Sequence, residues 1–210
     1  MFNSKQKLDR VFLVLNVQKM ILMIISPTPI EGLLVIEPRI FGDERGFFLE
    51  SFQQDRYRDA CITEAFVQDN HSRSSKGVLR GMHYQIERPQ SQMVTVIRGS
   101  IFDACVDLRP ASSTFGQWYG VTLSDTGPRQ LYMAPGIAHG FCVLSDLVDL
   151  HYKVTQNYDA QDEGGLLWND PDIGIQWPIS DPKVSERDNL FSRFKDLTPN
   201  QLPQTPEFET

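Results

Sequence analysis

No run of eighteen apolar residues occurs in the 210-residue sequence, so a membrane-spanning helix is not expected. Cysteine is scarce. Cys61, Cys105 and Cys142 form an odd set without CxxC spacing, which argues against a disulfide framework and suits reduced core thiols in a cytoplasmic protein. Basic charge is lacking as well. A net charge of −7 excludes a general nucleic-acid surface, which needs a basic face, but leaves room for a small anion in a local basic pocket. No internal repeat is evident, and convincing helical periodicity is rare.

Forty per cent hydrophobic residues support one domain with a sizeable core. At the N-terminus, Val11–Leu15 and Met20–Ile25 are apolar but broken by Asn16, Gln18 and Lys19, with no small-residue cleavage site after them. Residues 1–22 are therefore expected to be an extension, either disordered or upstream of the true start. The folded domain is expected over 23–197, and 198–210, with Pro199, Pro203 and Pro206, as a loose tail.

Between these limits the chain is a succession of short strands and turns. Leu33–Ile36 is a buried strand closed by Pro38, and Gly42–Gly46 turns into a strand from Phe47 to Phe52, on which Phe48 and Glu50 share a face. Gln53–Ala60 is polar and suits a short helix. Ser100–Arg109 alternates, with Phe102, Ala104, Val106 and Leu108 on one face and Asp103, Cys105, Asp107 and Arg109 on the other, the pattern of a half-buried antiparallel strand. Further strands end at Asp125–Pro128 and Pro135–Gly136. From Ser185 a helical pattern is expected, with Leu190, Phe191, Phe194 and Leu197 as its apolar stripe and Ser185 and Asp188 in capping-box spacing. The fold class that follows is all-β, an antiparallel sandwich or small barrel with a few short helices, one near the C-terminus.

The most informative stretch is Val78-Leu79-Arg80-Gly81-Met82-His83-Tyr84-Gln85. On a regular strand Leu79, His83 and Gln85 share one face and Arg80, Met82 and Tyr84 the other, while Gly81 permits a bend or a close backbone approach. An arginine that can hold a phosphate and a histidine that can take a proton near pH 7 are two parts of a site for a phosphorylated small molecule. Read alone, each residue also has a structural role open to it: Asp188 as a helix cap, Tyr152 as a core tyrosine, Arg80 as half of a surface ion pair, and Gln68 and Asn70 as the polar face of a surface strand. His71 and His151 are assigned structural roles only.

Six stretches in order resemble the dTDP-4-dehydrorhamnose 3,5-epimerases, a metal-independent branch of the cupin-like barrels: Phe41–Phe48, Phe66–Ser72, Val78–Gln85, Thr114–Trp118, Gly136–Phe141 and Leu167–Asp170. The resemblance implies a jelly-roll barrel, a homodimer in which an N-terminal strand reaches the neighbour, and no cofactor. It implies a substrate consisting of a 4-keto-6-deoxyhexose on dTDP. Protons at C3 and C5 of that sugar are α to the C4 ketone, so their removal gives an enolate. By resemblance His83 is the base, Asp188 orients it, and Tyr152 returns a proton from the opposite face. Arg45, Phe48, Glu50, Gln68, Asp69, Asn70, Arg80, Tyr158, Glu163 and Arg187 match positions that bind the nucleotide sugar, and His139 one near the ketone. Gln92 stands where the family carries a lysine beside the developing enolate. A metal site is not expected, since the His83 strand offers one histidine followed by Tyr84 and Gln85. The alternatives are an epimerase acting at one centre, a ketoisomerase on a related substrate, or a binding barrel without catalysis.

Overall fold

The structure is a computed structural model that describes residues 12–15 and 21–204. Two large antiparallel sheets form the body of the described residues, with strands numbered in chain order. The larger sheet runs β1 (Phe12–Leu15), β2 (Ile21–Pro27), β3 (Leu33–Pro38), β11 (Gln130–Met133), β8 (Gln92–Arg98), β13 (Leu147–Val154), β6 (Gln68–Ser75). The smaller runs β10 (Trp118–Ser124), β9 (Ser100–Asp107), β12 (Ile137–Val143), β7 (Leu79–Gln85), β14 (Glu163–Gly165). The remaining strands, β4 (Ile40–Asp43) and β5 (Gly46–Leu49), form a separate two-stranded ribbon. This is the all-β class that the alternating patterns led us to expect.

One hydrophobic core joins both sheets, with Val35, Val94 and Leu131 from the larger and Cys105, Phe141 and Val143 from the smaller. Tyr57, on the short helix α1 (Gln54–Asp59), packs into the same cluster. A second cluster, around Met82, Tyr84, Val106, Leu108 and Ala138, is covered by Trp177, Phe194, Leu197 and Leu202 from the C-terminal region. The smaller sheet is therefore buried on both faces.

That burial corrects the reading of β9 as half-buried. Asp103, Cys105, Asp107 and Arg109 are as enclosed as their apolar neighbours. Their polar atoms are satisfied internally: Arg109 Nε and Nη2 donate to Asp107 at 2.8 and 2.7 Å, and Asp103 pairs with His139.

The C-terminal region also differs from expectation. Among the described residues of this region only Glu186–Asn189 is α-helical (α2), followed by a 3-10 turn at Phe194–Asp196, and Leu190 is 83% exposed. Tertiary bonds override the helical pattern: Leu167 N donates to Ser192 O at 2.9 Å and Phe194 N to Asp170 Oδ2 at 2.7 Å, which draws the chain out of the helix. The tail is docked, not loose, as far as Gln204. Tyr84 Oη donates to Gln201 O at 2.8 Å and Gln204 N to Ile86 O at 2.7 Å. At the other end, Phe12–Leu15 pairs with β2 and so belongs to the larger sheet, within the span expected to be an extension. The rest of that expectation, on residues 1–11 and 16–20, and the tail beyond 204 lie outside the described residues.

Candidate active site

Strict alternation along β7 would send Arg80 and His83 to opposite faces. The structure brings them to the same cavity, because the register against β12 slips between His139 and Phe141. Gly81 makes the slip possible: its φ is +125°, and a Cβ there would lie 2.5 Å from Gly140 Cα. Beyond the slip, His83 pairs directly with His139 on β12. The larger sheet faces them with Tyr152 on β13, which sits opposite Asn70 on β6 and Val94 on β8. A cavity of about 290 Å³ is lined by His83 and His139 from one sheet and Tyr152 from the other.

His83 Nε2 lies 3.0 Å from Asp188 Oδ1, and Gly81 N donates to Asp188 Oδ2 at 3.1 Å. Ser185 caps α2 by accepting from Asp188 N, as the spacing suggested, but the Asp188 carboxylate turns away from its own helix to the histidine. Burial alone would raise the Asp188 pKa; the hydrogen bonds from His83 and Gly81 and the His83 charge outweigh it and hold the carboxyl well below the usual carboxylate range. Arg187 donates to Glu163 and Asp188, and its Nη2 lies 3.0 Å from His83 Nε2. Tyr158 closes the mouth, 49% exposed, with its hydroxyl donating to Glu163 Oε2 at 3.1 Å. Tyr152 is pushed up from the ordinary phenol value, mainly by burial and then by Glu163 and Tyr158, with Arg80 opposing.

Gln68, Asn70, Arg80, Gln92 and Glu163 also line this cavity. Five expected site residues do not: Asp188 joins the site through its bond to His83, and the other four lie away from it. Asp69 points to the outer face of β6 and pairs with Lys153 at 2.8 Å, because successive strand residues face opposite ways. Arg45 and Phe48 ride on the β4–β5 ribbon, where Arg45 pairs with Asp43 at 2.5 Å and Phe48 is 67% exposed. Glu50 lies past the end of β5 and pairs with Arg56, so it shares no strand face with Phe48. Among the described residues no group of three or more His, Cys, Asp or Glu is arranged to hold a metal ion.

The family model for dTDP-4-dehydrorhamnose 3,5-epimerase matches residues 27–196. The chain belongs to the dTDP-4-dehydrorhamnose 3,5-epimerase family. It is 48% identical over 176 residues to the dTDP-4-dehydrorhamnose 3,5-epimerase of Shigella flexneri, covering 83% of this chain and 97% of that one. It is 40% identical over 168 residues to the dTDP-4-dehydrorhamnose 3-epimerase of Streptomyces niveus, covering 79% and 81%. The crystal structure of dTDP-6-deoxy-D-glucose-3,5-epimerase from Legionella pneumophila Philadelphia 1, in complex with dTDP-4-keto-L-rhamnose, superposes with a TM-score of 0.84 at 46% identity, covering 88% of this chain and 99% of that one. The protein is thus an isomerase of the 3,5-epimerase type on a cupin-like β-barrel. No helix among the described residues is long and apolar enough to cross a membrane.

Three cavity features escaped the sequence reading. Asp103, the buried partner of His139 at 2.9 Å, looked like one of several polar residues on an outward strand face. Gln90, outside every stretch singled out in the sequence, lines the cavity with its Oε1 enclosed and without a hydrogen-bond partner among the described residues. Gln85 was placed on the His83 face but given no role, although its amide is buried and bonded through both its oxygen and its nitrogen. Polar residues spaced two apart, as at Gln90 and Gln92 or Asp103 and Cys105, are the available signal, and it marks an internal cavity as well as a solvent face.

Proposed function

We propose that this epimerase inverts C3 and C5 of dTDP-4-dehydro-6-deoxy-D-glucose to give dTDP-4-dehydro-L-rhamnose through an enolate. The observation that carries the reading is the pairing of opposed groups across one cavity, an Asp-bound histidine on one sheet and a tyrosine on the other. With Asp188 accepting from Nε2–H, the Nδ1 lone pair of His83 is the base, and the carboxylate stabilises the imidazolium that forms. Tyr152 delivers a proton from the far side, which inverts the centre. His139 supports the enolate oxygen. Its Nε2 faces Asp103, whose carboxyl is raised by full burial despite the opposing pull of His139. With Nε2 taken up by Asp103, the Nδ1–H of His139 is the donor left for the enolate. Arg80 and Arg187 supply positive charge for the diphosphate. No redox cofactor or metal enters this route.

Arg45, Phe48 and Glu50 act on a second copy of the chain in a homodimer. The exposed Ile40, Phe41, Phe47 and Phe48 of the ribbon are the support for that arrangement.

The test is incubation with the dTDP-ketosugar in D₂O and location of the label by NMR. Deuterium at both C3 and C5 is expected, and an unlabelled sugar overturns the reading. A second reading, epimerisation at one centre, is favoured by the neutral Gln92 in the cavity and by likeness to a 3-epimerase. Label at C3 alone would establish it.

A further inference from the structure

Two glutamines, one from each sheet, grip consecutive backbone groups of the loop that carries Tyr158. From β6, Gln68 Oε1 accepts from Tyr158 N at 3.1 Å. From β7, Gln85 Oε1 accepts from Asp159 N, and its Nε2 donates to Asp159 O, both at 3.1 Å. Asp162 secures the far end by accepting from Glu87 N and Arg88 N at 2.7 and 3.0 Å. Backbone N–H groups only donate and backbone carbonyls only accept, so these contacts determine which end of each amide is oxygen. Gln68 is then left with its NH₂ group, which donates to Asn70 Oδ1 at 2.8 Å. The Asn70 oxygen is occupied by that bond, and its NH₂ is the end available to the cavity it lines.

We infer that Gln85 and Gln68 are positioning residues for the nucleotide half of the site. They hold the Tyr158 ring as a flat wall at the mouth, and through Gln68 they turn Asn70 into a hydrogen-bond donor toward an acceptor oxygen of the nucleotide. The inference rests on the sugar-nucleotide reading given above. Neither glutamine amide bonds to His83, Asp188 or Tyr152. Their effect therefore falls on binding more than on proton transfer.

A double-mutant cycle on the full chain tests it, with the dTDP dissociation constant read by calorimetry and kcat and KM read from deuterium exchange into the dTDP-ketosugar. Gln85→Met, close in volume but without an amide, is expected to raise Kd and KM about tenfold, with most of the loss in KM. In a Tyr158→Ala background the same substitution is expected to add less than about twofold, because the ring it positions is gone. Gln68→Met in an Asn70→Ala background gives an independent reading of the relay, on a strand at the sheet edge, where a missing side-chain bond is tolerated better. It is expected to weaken dTDP binding alone and to add little when Asn70 is absent. Full, additive losses in both backgrounds, or wild-type Kd in Gln85→Met and Gln68→Met, overturn the inference. A wild-type protein that fails to bind dTDP sinks the sugar-nucleotide reading itself.

Discussion

Two histidines line the cavity, each backed by a buried aspartate, and the environments of the two pairs differ in sign. His83 and Asp188 join β7 to α2, and Asp188 accepts from a backbone N–H as well as from the imidazole, so its carboxyl is held low. His139 and Asp103 sit on β12 and β9 inside the smaller sheet. There Asp103 has 0% exposure, and burial pushes its carboxyl up although His139 pulls it down. Identical residue types thus reach opposite protonation preferences. On the proposed route the pair with the lowered carboxyl supplies the base and the pair with the raised carboxyl supplies the donor. The lesson is that the environment of the aspartate, more than the presence of a dyad, assigns the role.

The largest expected effects test that division directly. His83→Ala should bring deuterium uptake from D₂O down by about 10³-fold or more, since it removes the base of the proposed route. His139→Ala should slow exchange by about 10²-fold but leave it measurable, because one donor to the enolate is lost while the base remains. Equal losses in the two variants would falsify the division of labour.

The two aspartates should also respond oppositely to pH. Asp188 has a folded-state pKa below the ordinary value of 3.8, so its contribution is present above that value and is lost as pH falls through the folded value. Asp103 has a folded-state pKa above 3.8, so its contribution is present below that value and is lost as pH rises through the folded value. Urea denaturation should accordingly show Asp188→Asn destabilised by about 1.5–3 kcal/mol near neutrality, with the gap to wild type closing in acid. The gap for Asp103→Asn should narrow as pH rises above 4. Parallel curves for the two variants would remove the electrostatic basis of the comparison.

How far this was legible in the sequence depended on whether polar residues met water or a cavity. Period-two alternation identified the strands and placed His83 and Gln85 on one face. It separated Arg80 from His83, because nothing in the pattern counts the register slip that Gly81 introduces. Asp103 was read as an outward residue since alternation cannot tell an enclosed polar pocket from solvent. The pattern from Ser185 to Leu197 has a helical period, but its residues fold against β14 and the Asp170 turn, contacts remote in sequence. Asp188, which by spacing is a cap, became a site residue only through resemblance, since its partner His83 is far away along the chain.

The smallest expected effect concerns the donor side of the comparison. Gln92 projects from β8 into the cavity, and Gln90, two residues earlier, holds an enclosed oxygen without a partner among the described residues. On the proposed route, a neutral amide at 92 leaves His139 as the main support for the enolate. Gln92→Lys adds an ammonium, which can donate to Gln90 Oε1 in the resting site and to the enolate oxygen in the reacting one. A charge-assisted hydrogen bond is about twice as strong as a neutral one, so a gain of about three- to tenfold in exchange rate is expected, larger in the His139→Ala background than in wild type. If the gain is the same in both backgrounds, residue 92 and His139 do not share the oxygen. If there is none in either, residue 92 does not reach the enolate oxygen, and the donor role rests on the Asp103–His139 pair alone.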